Sequence, residues 1–309
     1  MSLPIDAATL ATLCVSFEPD VDVLRRQFAA LPEGCFRLVV DNGSAPAAVH
    51  ALQELIDGIP RAALLRNAGN RGLAAAINQG VAEIRRRWPS LTHVLLLDQD
   101  SEPVADCVGQ LLQTWARLDD GRLRLGALGP QLFDADTGLS HGFHQMTGWR
   151  WRRAYPAASD ATPLPLANLN GSGTLMRIDT FAALGGLDEA LFIDHVDTEW
   201  SFRLLAAGYA LRGVPHARML HRMGRRGLRW WLLRWRVWPA RAPARHRYLF
   251  RNTVWLMRRP YVPAVWKAWA VAKLVLTATL HGLFDPARGA QLAAMWRGLR
   301  EGLRSGEGA

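Results

Sequence analysis

The chain has 309 residues, half of them hydrophobic, with 37 Lys+Arg against 27 Asp+Glu and a formal net charge of +10. That supports one large α/β domain with an extension, or two domains, and it excludes a chain disordered throughout. Cys14, Cys35 and Cys107 lie far apart with no C-x-x-C pair, a poor disulfide or zinc framework that fits a reducing cytoplasm, and residues 1–8 have no secretory-signal pattern.

Residues 10–17 form an apolar, β-prone run. Residues 21–31 have helical spacing behind Asp20, a helix-capping residue type. A strand over 36–40 ends at Asp41-Asn42-Gly43-Ser44 and is followed by a helix over 47–56. A short strand at 62–65, a helix at 72–87, a strand at 94–97, a helix at 104–118 and a fifth strand from 125 continue the alternation. Strands alternating with helices of roughly 10–15 residues predict a mostly parallel sheet covered on both faces. Residues 133–164 have no clear period and read as a long loop or irregular hairpin. A strand at 167–177 is broken by Gly171-Ser172-Gly173, a helix starting near Asp188 or Asp194 runs to Gly208, and 209–214 and 218–221 read as extended.

In such a sheet ligands bind at the carboxyl ends of the strands, which here carry Ser16, Asp41, Asn67 and Asp98. Leu95-Leu96-Leu97 runs directly into Asp98-Gln99-Asp100. Alternate residues on an extended chain point the same way, so both acids can serve one site, and paired oxygen ligands suit Mg²⁺ or Mn²⁺. Taken alone, the same pair also reads as two solvated acids in a turn. His221, closing the last strand, is either structural or an imidazole ligand for a Mn²⁺-like ion. The two glycines of Asn67-Ala68-Gly69-Asn70-Arg71-Gly72 precede a helix whose first amides, with Arg71, suit an anion; an ordinary capped loop is the alternative. Asp41 is either an acceptor for a pyrimidine N–H or a turn acid. Asp194, Asp197 and Glu199 cluster at a helix start, where acids are favourable for dipole reasons alone or where one serves as a base.

Together these segments resemble an inverting, non-processive family 2 glycosyltransferase, over about residues 10–221. The motifs that carry the likeness are V-S-F-E-P-D at 15–20, V-D-N-G-S at 40–44, N-A-G-N-R-G-L-A-A-A-I-N-Q-G at 67–80, L-L-D-Q-D-S at 96–101, N-G-S-G at 170–173 and D-H-V-D-T-E-W-S-F-R at 194–203. The D-Q-D-S and D-H-V-D-T-E-W segments are most similar to bacterial rhamnosyltransferases of cell-surface polysaccharide synthesis. The resemblance implies a nucleotide-diphospho-sugar transferase (A-type, Rossmann-like) domain over 1–221, with a nucleotide half to about 130 and an acceptor half beyond it. It implies that Asp197 is the base, supported by Glu199, and that Asp100 and His221 hold Mg²⁺ or Mn²⁺. Ser16, Glu18, Asp41, Asn70, Arg71, Gly72, Asp98 and Gly171 would meet the nucleotide-sugar, and Asp194, His195 and Trp200 the acceptor. The donor it favours is dTDP-rhamnose, with UDP-galactofuranose, UDP-glucose or UDP-GlcNAc as alternatives. The acceptor would be a saccharide or lipid-linked saccharide, as in O-antigen synthesis. Two positions depart from the family: Glu18 stands where an asparagine is usual, and Val196 where glutamate commonly precedes the base. No Q-x-x-R-W motif of processive synthases is present.

The charge is unevenly placed. Residues 1–221 hold 19 Lys+Arg and 24 Asp+Glu, and residues 222–309 hold 18 and 3, with eight of the 13 tryptophans. This basic, Trp-rich tail, read as helical, fits an anionic membrane surface. Lys267, Lys273 and His281 interrupt the apolar run 261–284, which favours a helix lying in the interface over one spanning the bilayer. The expected location is the cytoplasmic face of the cell membrane, as a peripheral protein. Nucleic-acid binding, and a helical pair packed on the domain or on a second copy of the chain, are the competing readings of the tail.

Overall fold

The computed structural model describes residues 5–157, 159–222, 227–232, 234–239 and 241–304. Residues 223–226 of the basic tail lie outside the described residues. The first half alternates as the apolar spacing predicts: β1 (Leu10–Ser16), α1 (Val21–Ala29), β2 (Phe36–Asp41), α2 (Pro46–Asp57), β3 (Ala62–Arg66), α3 (Leu73–Arg87), β4 (His93–Asp98), β5 (Ser101–Pro103), α4 (Cys107–Leu118) and β6 (Leu125–Asp134). A hairpin of β7 (Phe143–Thr147) and β8 (Arg150–Ala154) follows. Then come β9 (Leu164–Pro165), β10 (Leu175–Arg177), α5 (Ile178–Ala183), α6 (Val196–Ala206) and β11 (Ala210–His221). A second hairpin, β12 (Gly227–Leu232) and β13 (Arg234–Pro239), precedes α7 (Pro243–Arg258), α8 (Ala264–Phe284) and α9 (Arg288–Arg304).

The main sheet has the order β3-β2-β1-β4-β10-β6-β11-β5, with β9 beside β11. β1, β2, β3 and β4 are parallel, and β10 runs antiparallel between β4 and β6. β6 and β11 are parallel again, so the carboxyl ends of β1, β2, β4, β6 and β11 share one edge. β4 shows why its sequence is an unbroken apolar run: Val94 and Leu96 face one core layer, Leu95 and Leu97 the other.

Several elements differ from expectation. The helix placed at 104–118 starts at Cys107, because 101–103 forms an edge strand on β11. The two extended segments at 209–221 are one strand, with an irregular register between Val214 and Arg218. The tail begins with a β-hairpin before it becomes helical. Leu256, Val262, Trp266 and Ala270 of the tail share a core cluster with Leu13, Leu96 and Phe202, so the charge boundary at 221 does not divide the hydrophobic core. α9 closes tightly on α7: a Cβ at Gly298 would stand 2.2 Å from the Arg247 carbonyl oxygen.

Among the described residues, no helix is long and apolar enough to cross a membrane.

Candidate active site

The strand edge assembles three ligand-bearing side chains. β4 delivers Asp98 at its last residue, the turn that follows delivers Asp100, and β11 delivers His221 beside Ser101 and Asp134. His221 Nε2 lies 3.2 Å from an Asp98 carboxylate oxygen and 3.4 Å from one of Asp100. One ligand atom from each residue falls within 4.8 Å of the others. Burial would lower the imidazole pKa, yet the hydrogen bond to Asp98 and the charges of Asp98, Asp100 and Asp134 hold it above its ordinary value. Burial raises the Asp100 carboxyl, offset in part by His221. Two carboxylates and an imidazole facing one another form a donor set suited to Mn²⁺ or Mg²⁺. Asp98, expected among the residues that meet the nucleotide-sugar, lies in this group with Asp100 and His221.

Asp197 sits in the first turn of α6, its Oδ1 accepting from the Thr198 amide at 2.8 Å. Burial pushes its carboxyl up to about 6; the amides of Thr198 and Gly171 oppose that rise, and the charges of Asp98 and Asp194 add to it. Asp197 therefore feels the charge of Asp98 and lies beside Gly171, where a Cβ would meet open space. A carboxyl with a raised pKa in this position can exchange a proton near neutral pH.

The loop before Asp197 is strained. Phe192, Asp194 and His195 have φ of 62°, 62° and 67°, in the left-handed region that side chains disfavour. Asn252 of α7 holds this shape: its side-chain amide donates to the carbonyls of Leu191, Ile193 and Asp194 at 2.8, 2.8 and 2.9 Å. Arg251 adds bonds to the Ala190 and Leu191 carbonyls. Asn252 belongs to none of the sequence motifs and lies more than 50 residues from the loop it shapes.

The three acceptor candidates and Glu199 serve other contacts. The Asp194 carboxylate is shared by Arg241 at 2.6 Å and Arg245 at 3.2 Å. His195 turns toward the tail, with Nε2 3.0 Å from the Thr253 hydroxyl and its ring edge-on to Trp266. Burial, with the charge of Lys273, takes its pKa down to about 3. Trp200 is 3% exposed and packs on Phe181, which leaves an acceptor no ring face to contact. Glu199 is 0% exposed. It pairs with Arg203 at 2.8 Å and Arg259 at 3.1 Å and accepts the Tyr261 hydroxyl at 2.6 Å. It is a buried ionic node that ties α6 to the tail.

On the nucleotide side, Asp41 is 1% exposed and accepts from the amides of Gly43 and Ser44 and the Ser44 hydroxyl, which matches its turn-acid reading. Ser16 is buried, its hydroxyl without a partner among the described residues. Glu18 accepts from the Ala45 amide at 2.7 Å and so joins the β1 and β2 turns. Three amides at the entrance of the helix expected to bind an anion are taken: the Arg71 amide donates to the Asn42 side chain, Gly72 to that of Asn70, and Leu73 to the Phe192 carbonyl. The Arg71 side chain remains exposed. Asn42 organises this loop through Asn67, Asn70 and the Gly72 carbonyl. Gly43 (φ 91°) allows the close approach of Gly69, since a Cβ there would lie 2.6 Å from Gly69 backbone atoms.

Known proteins resemble this chain in family and in fold. The model of glycosyl transferase family 2 matches residues 30–184. The dTDP-rhamnosyl transferase RfbF of Shigella flexneri is 25% identical over 274 residues, 88% of each chain. An N-acetylglucosaminyl-diphospho-decaprenol L-rhamnosyltransferase of Mycobacterium tuberculosis is 27% identical over 208 residues, 60% of this chain and 65% of its relative. Among solved structures, GalNAc-T7 with UDP, GalNAc and Mn²⁺ aligns with a TM-score of 0.59 at 16% identity, over 96% of this chain and 56% of that one. The mannosyltransferase PcManGT of Pyrobaculum calidifontis with GDP-Man and Mn²⁺ aligns with a TM-score of 0.57 at 14% identity, over 98% of this chain and 89% of that one. These structural likenesses speak to the fold, which is the A-type nucleotide-sugar transferase fold. With a sheet edge that gathers its motif acids and a family match across half its length, the chain belongs to glycosyl transferase family 2.

Proposed function

We propose that this protein transfers L-rhamnose from dTDP-rhamnose to a hydroxyl of a lipid-linked saccharide, with inversion, in the synthesis of a cell-surface polysaccharide such as O-antigen. The observations that carry the transfer reading are the grouping of Asp98, Asp100 and His221 at one edge of the sheet and a buried Asp197 carboxyl, at the start of α6, that feels the charge of Asp98. The names of the two rhamnosyltransferase relatives support the choice of donor. A divalent ion held by Asp98, Asp100 and His221 would stabilise charge on the leaving diphosphate. Arg71, exposed at the same edge, and Arg245, close enough to Asp100 for its charge to be felt there, add cations for the nucleotide-sugar.

Asp197 takes the proton of the acceptor hydroxyl. That oxygen attacks the anomeric carbon from the face opposite the diphosphate. The new glycosidic bond forms as the bond to the phosphate oxygen breaks, the nucleoside diphosphate departs, and no covalent enzyme intermediate arises. The test is a donor screen by thermal shift with Mn²⁺, followed by product analysis with each donor that binds. Stabilisation by dTDP-rhamnose over UDP-galactofuranose, UDP-glucose and UDP-GlcNAc, and transfer abolished by EDTA, is the expected result. Preference for a UDP-sugar would replace the donor, and transfer in EDTA would remove the ion.

The tail supports peripheral binding at the inner face of an anionic membrane. α8 and α9 expose Val271, Val275, Leu283, Phe284 and Trp296 next to the exposed Arg288, Arg297, Arg300 and Arg304. Apolar side chains flanked by arginines suit the headgroup zone. Flotation with anionic but not neutral vesicles is expected; binding to an oligonucleotide instead would redirect the tail to nucleic acid.

A further inference from the structure

The β7–β8 hairpin is firmly rooted and ends on an apolar tip. At its base Phe143 is buried, the Gln145 side-chain amide donates to the Pro165 carbonyl at 3.0 Å, and the His144 carbonyl accepts from the Ala167 amide at 2.9 Å. Trp151 stacks on His144 and meets Phe202 of α6 edge-on, with ring centres 5.5 and 6.0 Å apart. Pairing runs without a break from Phe143–Ala154 to Thr147–Arg150, so Gly148 and Trp149 alone make the turn. Gly148 has φ 55°, the sign a tight hairpin turn requires at its first central position. This rigid turn holds Trp149 at the apex, 88% exposed, with Met146 behind it at 43%.

Three arginines surround the tip. Arg150, Arg152 and Arg153 are all exposed. Arg152 donates to the Gln145 side-chain oxygen at 3.3 Å, and Arg153 to His144 Nε2 at 3.2 Å. Among the described residues none of the three has a carboxylate within ion-pair distance. An exposed indole beside unpaired guanidinium groups suits the headgroup zone of an anionic bilayer, where the ring leaves water and the cations meet phosphate.

The neighbouring helix favours lipid over a folded partner. Trp151 lies 6.0 Å from Trp269 of α8, so the tip is only two residues, roughly 7 Å of strand, from a side chain that touches α8. Every exposed position of α8 is uncharged, from Ala264 through Val271, Val275 and Leu276 to Phe284. A helix of this length is about 30 Å long. Its stripe offers a protein partner little to pair with and a bilayer a continuous apolar edge.

We infer that the β7–β8 tip is a second membrane contact: Trp149 seats in the headgroup zone of an anionic bilayer while Arg150, Arg152 and Arg153 meet lipid phosphates. This rests on the reading of the tail as a membrane-binding surface. The tail alone would leave the protein free to roll about α8. A hairpin from the catalytic half, held to the same surface, fixes which way the site edge faces it.

The test places an environment-sensitive nitrobenzoxadiazole label on Trp149→Cys in the full-length protein. Cys14, Cys35 and Cys107 are buried, so the label goes to the new thiol. Glu54→Cys on α2, near the opposite edge strand β3, is the control. Vesicles of phosphatidylglycerol and phosphatidylcholine are expected to shift the emission at 149 to the blue and leave that at 54 unchanged, and pure phosphatidylcholine should do neither. In flotation, Trp149→Ser and Arg150→Ser should each weaken binding about fivefold, with Trp149→Phe restoring most of it. If wild type floats while the label at 149 stays in water, or Trp149→Ser floats as well as wild type, the hairpin contact is overturned and the tail reading stands. If wild type does not float, both fall. A blue shift produced by a soluble oligosaccharide and not by vesicles would make the tip a sugar contact and overturn the lipid assignment.

Discussion

Replacing Asp197 by asparagine is expected to raise stability at neutral pH while it removes turnover. Burial lifts the carboxyl from an ordinary 3.8 to about 6. Between those two values the folded protein binds a proton that the unfolded chain has lost, so stability falls as pH rises through this window. Above pH 7 the ionised side chain costs the fold roughly 3 kcal/mol, at 1.36 kcal/mol per pH unit of displacement. Asparagine keeps an acceptor for the Thr198 amide but not for a second amide at Gly171, which reduces the gain to about 1–2 kcal/mol. Urea titrations at pH 4 and pH 8 would read this: wild type weakens between the two, and the variant weakens less. In the transfer assay, kcat/KM of wild type should fall tenfold per pH unit below about 6, and the variant should lose about 10²–10⁴ in kcat while binding dTDP-rhamnose normally. Equal pH dependence of stability in the two proteins, or an asparagine variant that turns over at the wild-type rate, would refute the placement of Asp197 as a buried base.

Glu199→Gln leaves Arg203 and Arg259 facing each other without their shared carboxylate. A loss of about 3 kcal/mol is expected, read as a fall in Tm, where a merely catalytic acid would leave Tm unchanged. Gly298→Ala forces α9 off the Arg247 carbonyl and is expected to destabilise by about 1–3 kcal/mol in denaturant titration. Asp100→Asn should abolish the Mn²⁺-dependent part of the thermal shift with nucleotide-sugar and leave the metal-free melting temperature near that of wild type.

The sheet was legible because its physics is local. Apolar runs of strand length, helical spacing and turn residues marked β1 to β4 and α1 to α3 within a few positions. Asp98, Asp100 and His221 were legible for a related reason: residues at strand ends are carried to one edge by a parallel topology, whatever their separation in sequence. The β5 edge strand was missed because three residues, Ser101–Pro103, carry no period. The second acidic segment misled because its residues look alike on paper. Asp194, Asp197 and Glu199 all start one helix, yet helical geometry turns Glu199 inward, and the left-handed backbone at Asp194 turns its carboxylate to Arg241 and Arg245. Within 194–203 only Arg203 is a partner of these acids; Arg241, Arg245, Arg259 and Tyr261 come from the far side of the charge boundary at 221.

The grip of Asn252 on the strained loop gives the tail authority over the backbone that leads into Asp197. A protein cut after His221 would keep every motif by which its family is known and still lack the clamp that holds the carbonyls before Asp197 in place. Grafting the motif half onto another enzyme's tail would meet the same obstacle. The unit that can be exchanged, expressed or inherited intact is the motif half together with the helices that brace it.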